Sequence, residues 1–213
     1  MRERIASACA RSGRDPSSVK LVAVTKGRTP QQVRALLRAG QRDLAENRVQ
    51  AWRARADEVA DAVADESLRW HLVGHLQRNK VRYCHGFELI HSLDSERLAL
   101  ALEADGSRQG HVFRTLIQVN VSGEASKYGV EPAQAEDLLG VVGGLEHVRV
   151  EGLMTMAPYH DDAERARPVF SSLRVLAERA ELAELSMGMS GDLEVAVEEG
   201  ATLVRVGTAL FEP

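Results

Sequence analysis

At 213 residues and a formal net charge of −4 at pH 7, the chain is of a length at which α/β barrels occur as a single domain. Hydrophobic residues make up 44% and aromatics only 4%, so its core must be aliphatic. The acidic balance, the pI near 6.0 and the lack of a dense basic tract exclude non-specific nucleic-acid binding. No run of 18 apolar residues is present to span a membrane, and no apolar leader follows Met1-Arg2-Glu3-Arg4. The two cysteines, Cys9 and Cys84, lack CxxC spacing and read as reduced packing residues, as expected of a cytoplasmic protein.

In chain order, Met1 to Ser12 carries Ile5, Ala8 and Cys9 at helical spacing and ends at Gly13. Leu21 to Thr25 is the first strand. Thr29-Pro30 opens a helix that Gly40 closes. A short strand from Arg42 to Ala45 leads into Glu46-Asn47-Arg48 and a polar helix from about Val49 to Ala64. Trp70 to Gly74 is the third strand, with a helix from Leu76 to Tyr83 behind it; Phe87 to Ser92 is the fourth, followed by a helix that Ser95 caps and that runs to about Ala104. Thr115 to Val121, Val148 to Thr155, Glu184 to Gly188 and Leu203 to Val206 complete the strands. A loop from Ser122 to Gly129 and helices over Pro132 to Val142, Asp162 to Arg179 and Ser190 to Glu199 lie between them. Eight short apolar runs alternating with helical patterns predict one α/β domain over residues 1–213, a closed (β/α)8 TIM barrel. The last strand has too few residues after it for an outer helix, and the N-terminal helix is expected to fill that gap. An open doubly wound sheet is the rival, but no GxGxxG or GxxxxGK[ST] follows the first strand.

Barrel chemistry gathers at the C-terminal ends of strands. The first strand, a run buried on both faces, ends on Lys26. An ammonium there is drawn out of water and toward its neutral amine, which can attack an aldehyde to form a Schiff base. Read alone, Lys26 more simply marks the point where the strand meets solvent. Met187-Gly188-Met189-Ser190-Gly191-Asp192 places a serine at an expected helix N-cap beside a glycine, and Val204-Arg205-Val206-Gly207-Thr208 brings a second glycine and hydroxyl to the neighbouring strand end. Loops after strands seven and eight commonly bind phosphate in this architecture. His71, His75 and His91 show no HxxxH pairing, so no metal site is expected, and His71 reads as a satisfied barrel-wall histidine. Glu46 followed by Asn47-Arg48 reads as an anchoring pair rather than half of a carboxylate dyad.

The segments VAVTK, AENRVQ, WHLVGHLQRNK, QVNVSGEASKYGV, GLMTM, LSMGMSGD and VRVGTALF resemble, in the same order, those of the pyridoxal phosphate homeostasis protein family, also described as alanine-racemase-N-terminal-like. The resemblance implies the barrel of fold-type III pyridoxal enzymes, with pyridoxal 5′-phosphate held as a Schiff base on Lys26. It further implies phosphate contacts from Ser190, Gly207 and Thr208, Arg205 at the pyridine nitrogen, and Asn47, His75 and Met154 lining the ring. Thr25 stands where serine is usual and Ala45 where glycine is common; Arg78 and Tyr128 replace smaller residues.

An arginine at the ring nitrogen can only donate, which keeps that nitrogen unprotonated and the ring a weak electron sink. Racemisation also needs an acid and a base on opposite faces of Cα. Alanine racemases draw the second group from a further β-domain, and the spacing brings none of Tyr83, Tyr128 and Tyr159 opposite Lys26. The expected role is a monomeric carrier or regulator of pyridoxal phosphate, with apo-enzymes that use this cofactor as recipients and no catalytic residues. A low-activity amino-acid racemase and a Schiff-base aldolase acting on a sugar phosphate are the alternatives.

Overall fold

The computed structural model describes residues 1–62, 68–124 and 127–211. Eight parallel strands form a closed barrel in sequence order: β1 Lys20–Val24, β2 Asp43–Glu46, β3 Arg69–Leu72, β4 Leu89–Leu93, β5 Phe113–Gln118, β6 Val148–Met154, β7 Glu184–Ser186 and β8 Leu203–Val206. Closure is direct, since β8 pairs with β1 over Lys20↔Leu203 to Ala23↔Val206. The apolar runs read from the sequence are therefore strands covered on both faces, by the interior on one side and helices on the other.

The outer helices are α1 Arg2–Ser12, α2 Pro30–Arg38, α3 Val49–Val59, α4 Glu96–Gln109, α5 Pro132–Val142, α6 Arg167–Arg179 and α7 Leu193–Glu198. Helix α2 shows why its ends were legible: the Thr29 hydroxyl accepts from Gln32 N, the Gln32 side chain accepts from Thr29 N, and Pro30 occupies the first turn. Helix α1 packs on α7, where a helix after β8 would otherwise close the ring. Arg4 pairs with Glu194 at 2.5 Å and Arg11 with Glu198 at 2.7 Å.

Four segments differ from their expected form. The stretch from Leu76 to Tyr83 is a 3-10 turn over Arg78–Tyr83 rather than an α-helix. Helix α4 does not stop near Ala104 but runs through Gly106 to Gln109, because the left-handed cap is Gly110 at φ 63°. The Asp162 segment begins as a 3-10 turn, and α6 starts where Pro168 can occupy a first turn. Helix α3 ends at Val59 with a 3-10 turn to Ala62; the last two residues expected in it lie outside the described ones, as do two of the loop from Ser122 to Gly129.

Val22, Ala45, Leu89, Leu116, Met154 and Leu203 form the apolar fill of the barrel interior, while a larger cluster lies between strands and helices. Phe170 on α6 is fully buried in the latter. Phe170→Ala is expected to destabilise the fold by about 4 kcal/mol, read from equilibrium urea unfolding. Both cysteines are buried and free, and burial pushes the Cys84 thiol up to about 12, which leaves it unreactive.

Candidate functional site

A cavity of about 360 Å³ opens at the C-terminal mouth of the barrel. Its walls come from the end of β1 (Val24, Lys26), the residues after β2 and β3 (Asn47, Val73), the loop after β6 (Met156 to His160), the loop after β7 (Met189 to Asp192) and the end of β8 (Arg205, Gly207, Thr208). Six of the eight residues singled out from the sequence thus share one space: Lys26, Asn47, Ser190, Arg205, Gly207 and Thr208.

Lys26 is exposed rather than withdrawn from water as its place after a buried strand implied. Among the described residues its ammonium has no hydrogen-bond or ion-pair partner, which leaves it open to a ligand. The backbone beside it is anchored from below. Thr25 Oγ1 donates to the Glu46 carboxylate at 2.6 Å, and burial pushes that carboxyl up.

In the loops after β7 and β8, Ser190, Gly191, Gly207 and Thr208 donate no backbone hydrogen bond among the described residues. Four such N–H groups and two hydroxyls in adjoining loops suit an anion. The helix cap expected at Ser190 is corrected here. Helix α7 begins only at Leu193 with Asp192 as its N-cap residue, and Asp192 Oδ1 turns back to accept from Met189 N at 2.6 Å. Ser190 lies in the turn before the helix, so a loop rather than a helix N-terminus lines the cavity there.

Arg205 is 5% exposed, and two interior contacts hold it: Nη1 donates to Ser186 Oγ at 2.5 Å and Nη2 to the Thr155 carbonyl at 2.8 Å. Burial pushes its guanidinium down to about 10, against the nearby charge of Asp192, so it remains a cation at neutral pH. Below it, His91, His71 and Asp43 continue a line of hydrogen bonds toward the opposite end of the barrel. Burial alone would raise the Asp43 carboxyl, but hydrogen bonds from Arg69 and His71 and the charge of Arg69 outweigh it and hold the group well below the usual carboxylate range. The stability Asp43 contributes is therefore complete above its unfolded value of about 3.9 and fades as pH falls below that. Asp43→Asn is expected to flatten this acid limb in thermal midpoints measured between about pH 5 and 2.

His75 and Met154 do not line the cavity. His75 stacks on Tyr128, with ring centroids 4.4 Å apart, and pairs with Asp94 at 2.8 Å in a neighbouring depression. Met154 is fully buried in the barrel fill beneath the floor, and Met156, two residues on, takes the wall position. The period of two along a strand carried that signal, since Met154 and Met156 share a parity. The loop after β6 also brings Tyr159 and His160 to the cavity that Lys26 lines, a neighbourhood that spacing alone did not give. Tyr159 is 88% exposed, and its hydroxyl reaches only Asp161, at 3.5 Å.

Residues 1–213 match the alanine racemase N-terminal domain family. The chain is 43% identical over 216 residues to the pyridoxal phosphate homeostasis protein of Aquifex aeolicus, covering 98% of this chain and 93% of the relative. It superposes with a TM-score of 0.83 on PipY of Synechococcus elongatus, solved with PLP bound, at 38% identity over 99% of both chains. Alanine racemase of Clostridium difficile shares the fold, with a TM-score of 0.73 at 15% identity over 56% of its length. Similarity at this level over the full length, on a closed eight-stranded barrel, shows that the chain belongs to the pyridoxal phosphate homeostasis protein family.

Proposed function

We propose that the protein holds pyridoxal 5′-phosphate in this cavity and works in the homeostasis of that cofactor, as a cytoplasmic monomeric carrier or regulator that supplies apo-enzymes. One observation carries the reading: Lys26, whose amine has no partner among the described residues, the four loop residues whose N–H groups donate to none of them, and the buried Arg205 line a single cavity. The PLP-bound PipY structure supports it. The whole described chain serves this one site, which favours treating residues 1–213 as one domain.

In this reading, Ser190, Gly191, Gly207 and Thr208 take the phosphate, and Val24, Val73, Met156 and Asn47 border the ring. Lys26 attaches the cofactor as a Schiff base, its Nζ bonding to the aldehyde carbon with loss of water; hydrolysis reverses the step and releases the cofactor. When bound, the cofactor supplies a ring able to accept electron density from an amino acid. Arg205 limits that capacity, because a guanidinium donates to the ring nitrogen and accepts nothing. His75 and Met154 have no part in this arrangement.

Tyr159 favours a second reading, a weak amino-acid racemase, because it lines the cavity opened by Lys26. Its hydroxyl has no buried partner to hold it opposite the lysine, which places this reading second. Incubating the cofactor-loaded protein with L-alanine in deuterated water separates the two. The carrier reading predicts Cα exchange at the level of free pyridoxal phosphate, whereas rapid exchange with inversion overturns it. Protein that takes up no pyridoxal phosphate and instead traps a sugar-phosphate carbonyl on Lys26 points to an aldolase.

A further inference from the structure

The barrel interior is half apolar and half polar, and the polar half forms a continuous file. Arg205 Nη1 lies 2.5 Å from Ser186 Oγ, which lies 2.8 Å from His91 Nδ1. His91 Nε2 is 2.9 Å from His71 Nδ1, and His71 Nε2 is 3.2 Å from Asp43 Oδ1. Arg69 closes the far end, its Nε and Nη2 donating to Asp43 at 2.8 and 2.7 Å. The Ser186 to His91 contact joins β7 to β4, which are not neighbours in the ring, so it crosses the interior. Ser186, His91 and His71 are at most 1% exposed. None of them lines the cavity, so the chemistry of the cofactor reading leaves them without a role.

We propose that Ser186, His91, His71 and Asp43 are positioning residues that form a one-way hydrogen-bond relay down the barrel, fixing the buried Arg205 guanidinium as a donor toward the cofactor cavity. The proposal rests on the cofactor reading for its consequence and on donor and acceptor chemistry for its direction. Arg205 has no acceptor, so it donates to Ser186, and the serine hydroxyl passes its own proton on to His91 Nδ1. Asp43, ionised between Arg69 and His71, has no proton to give, so His71 Nε2 donates to it. A single proton lies between the two imidazoles. With His91 accepting at Nδ1, that proton sits on His91 Nε2 and points at His71 Nδ1. Ser186 and His91 then each receive one bond and give one, His71 receives at Nδ1 and gives from Nε2 to Asp43, and both histidines are neutral Nε2–H tautomers.

The opposite polarity needs a doubly protonated His71. It turns His91 around to donate to Ser186, which then accepts from both sides while its hydroxyl proton has no acceptor in the file. It also adds a second cation to a buried file that already holds the Arg205 guanidinium. The one-way arrangement leaves no buried donor idle. With one Nη on Ser186 and the other on the Thr155 carbonyl, the guanidinium is held at two points beside the cavity that Arg205 lines.

Two measurements test the relay. In the first, long-range 15N correlation spectra of the cofactor-free protein, assigned with His71→Gln and His91→Asn, report which ring nitrogen carries hydrogen. The relay predicts Nε2–H for both at neutral pH. An Nδ1–H tautomer or a doubly protonated ring at either position overturns it. In the second, Ser186→Ala and the remote Asp43→Asn are titrated with pyridoxal phosphate after circular dichroism shows them folded. Ser186→Ala is expected to weaken uptake about tenfold, the scale of one lost charge-assisted bond, and to shift the absorption band of the bound cofactor. Ser186→Thr should restore both, and Asp43→Asn should move the band in the same direction by less. Leu116→Val, in the apolar half, should leave the band in place. Folded Ser186→Ala and Asp43→Asn proteins with unchanged affinity and band overturn the proposal. If wild-type protein takes up no cofactor, the cofactor reading falls, and the 15N pattern still decides the relay.

Discussion

Lys26→Ala is expected to abolish the visible absorption that develops when pyridoxal phosphate is added to the protein, while some reversible binding through the phosphate loops persists. The reason is a division of labour across the cavity. The loops carrying Ser190, Gly191, Gly207 and Thr208 engage an anion without Lys26, whereas covalent attachment needs its amine alone. Loss of the covalent bond with retention of the phosphate contacts is expected to raise the dissociation constant by on the order of 100-fold or more, about 2.7 kcal/mol at the conversion of 1.36 kcal/mol per decade. Equilibrium dialysis with absorption spectra checks both halves. A Lys26→Ala protein that keeps the wild-type spectrum would assign the attachment to another amine.

Gly152→Ala is expected to cost on the order of 3 kcal/mol and to disrupt the β6 and β7 pairing, although the residue lies away from the cavity. Between Thr115↔Val150 and Leu116↔Gly152 the register of β5 and β6 shifts, which leaves Glu151 as an extra residue in β6. Just past this irregularity the backbone of Gly152 lies against Glu184 so closely that a Cβ would fall on the Glu184 carbonyl. The obstacle is backbone in a paired strand, which cannot swing aside as a side chain would. Chemical denaturation measures the loss, and a midpoint within error of wild type would show that β7 yields at little cost. Because β7 carries Ser186, Gly152→Ala is also expected to weaken the hold on Arg205.

The barrel was legible because each strand announces itself locally. Leu21 to Thr25 is a short apolar run with a polar residue at its end, and Thr29-Pro30 and Ser95 are caps that act within one turn. Lys26, Arg205 and Gly207 were legible for the same reason, since a strand end and the position after it can be read along the chain. Ser190 illustrates the limit. The helix starts only after Asp192, whose side chain folds back on Met189, a contact that no periodicity records. Met154 lies in the barrel fill and Met156 in the cavity wall, because whether a residue ends the barrel floor or begins the wall depends on how far each strand projects. The relay was least legible of all. His91 and Ser186 are separated by 95 positions and meet only because the ring closes, and read singly His71 is a buried histidine with no evident task.

The central claim is that Lys26, and no other amine, carries the cofactor at the mouth of the barrel. The chain has four lysines, Lys20, Lys26, Lys80 and Lys127, of which Lys26 alone lines the cavity with Arg205 and the phosphate loops. Incubation with one equivalent of pyridoxal phosphate, reduction with borohydride and peptide mapping by mass spectrometry should find a single pyridoxyl group, located on Lys26. A reduced adduct spread over the four lysines, or confined to one of the other three, would contradict the account.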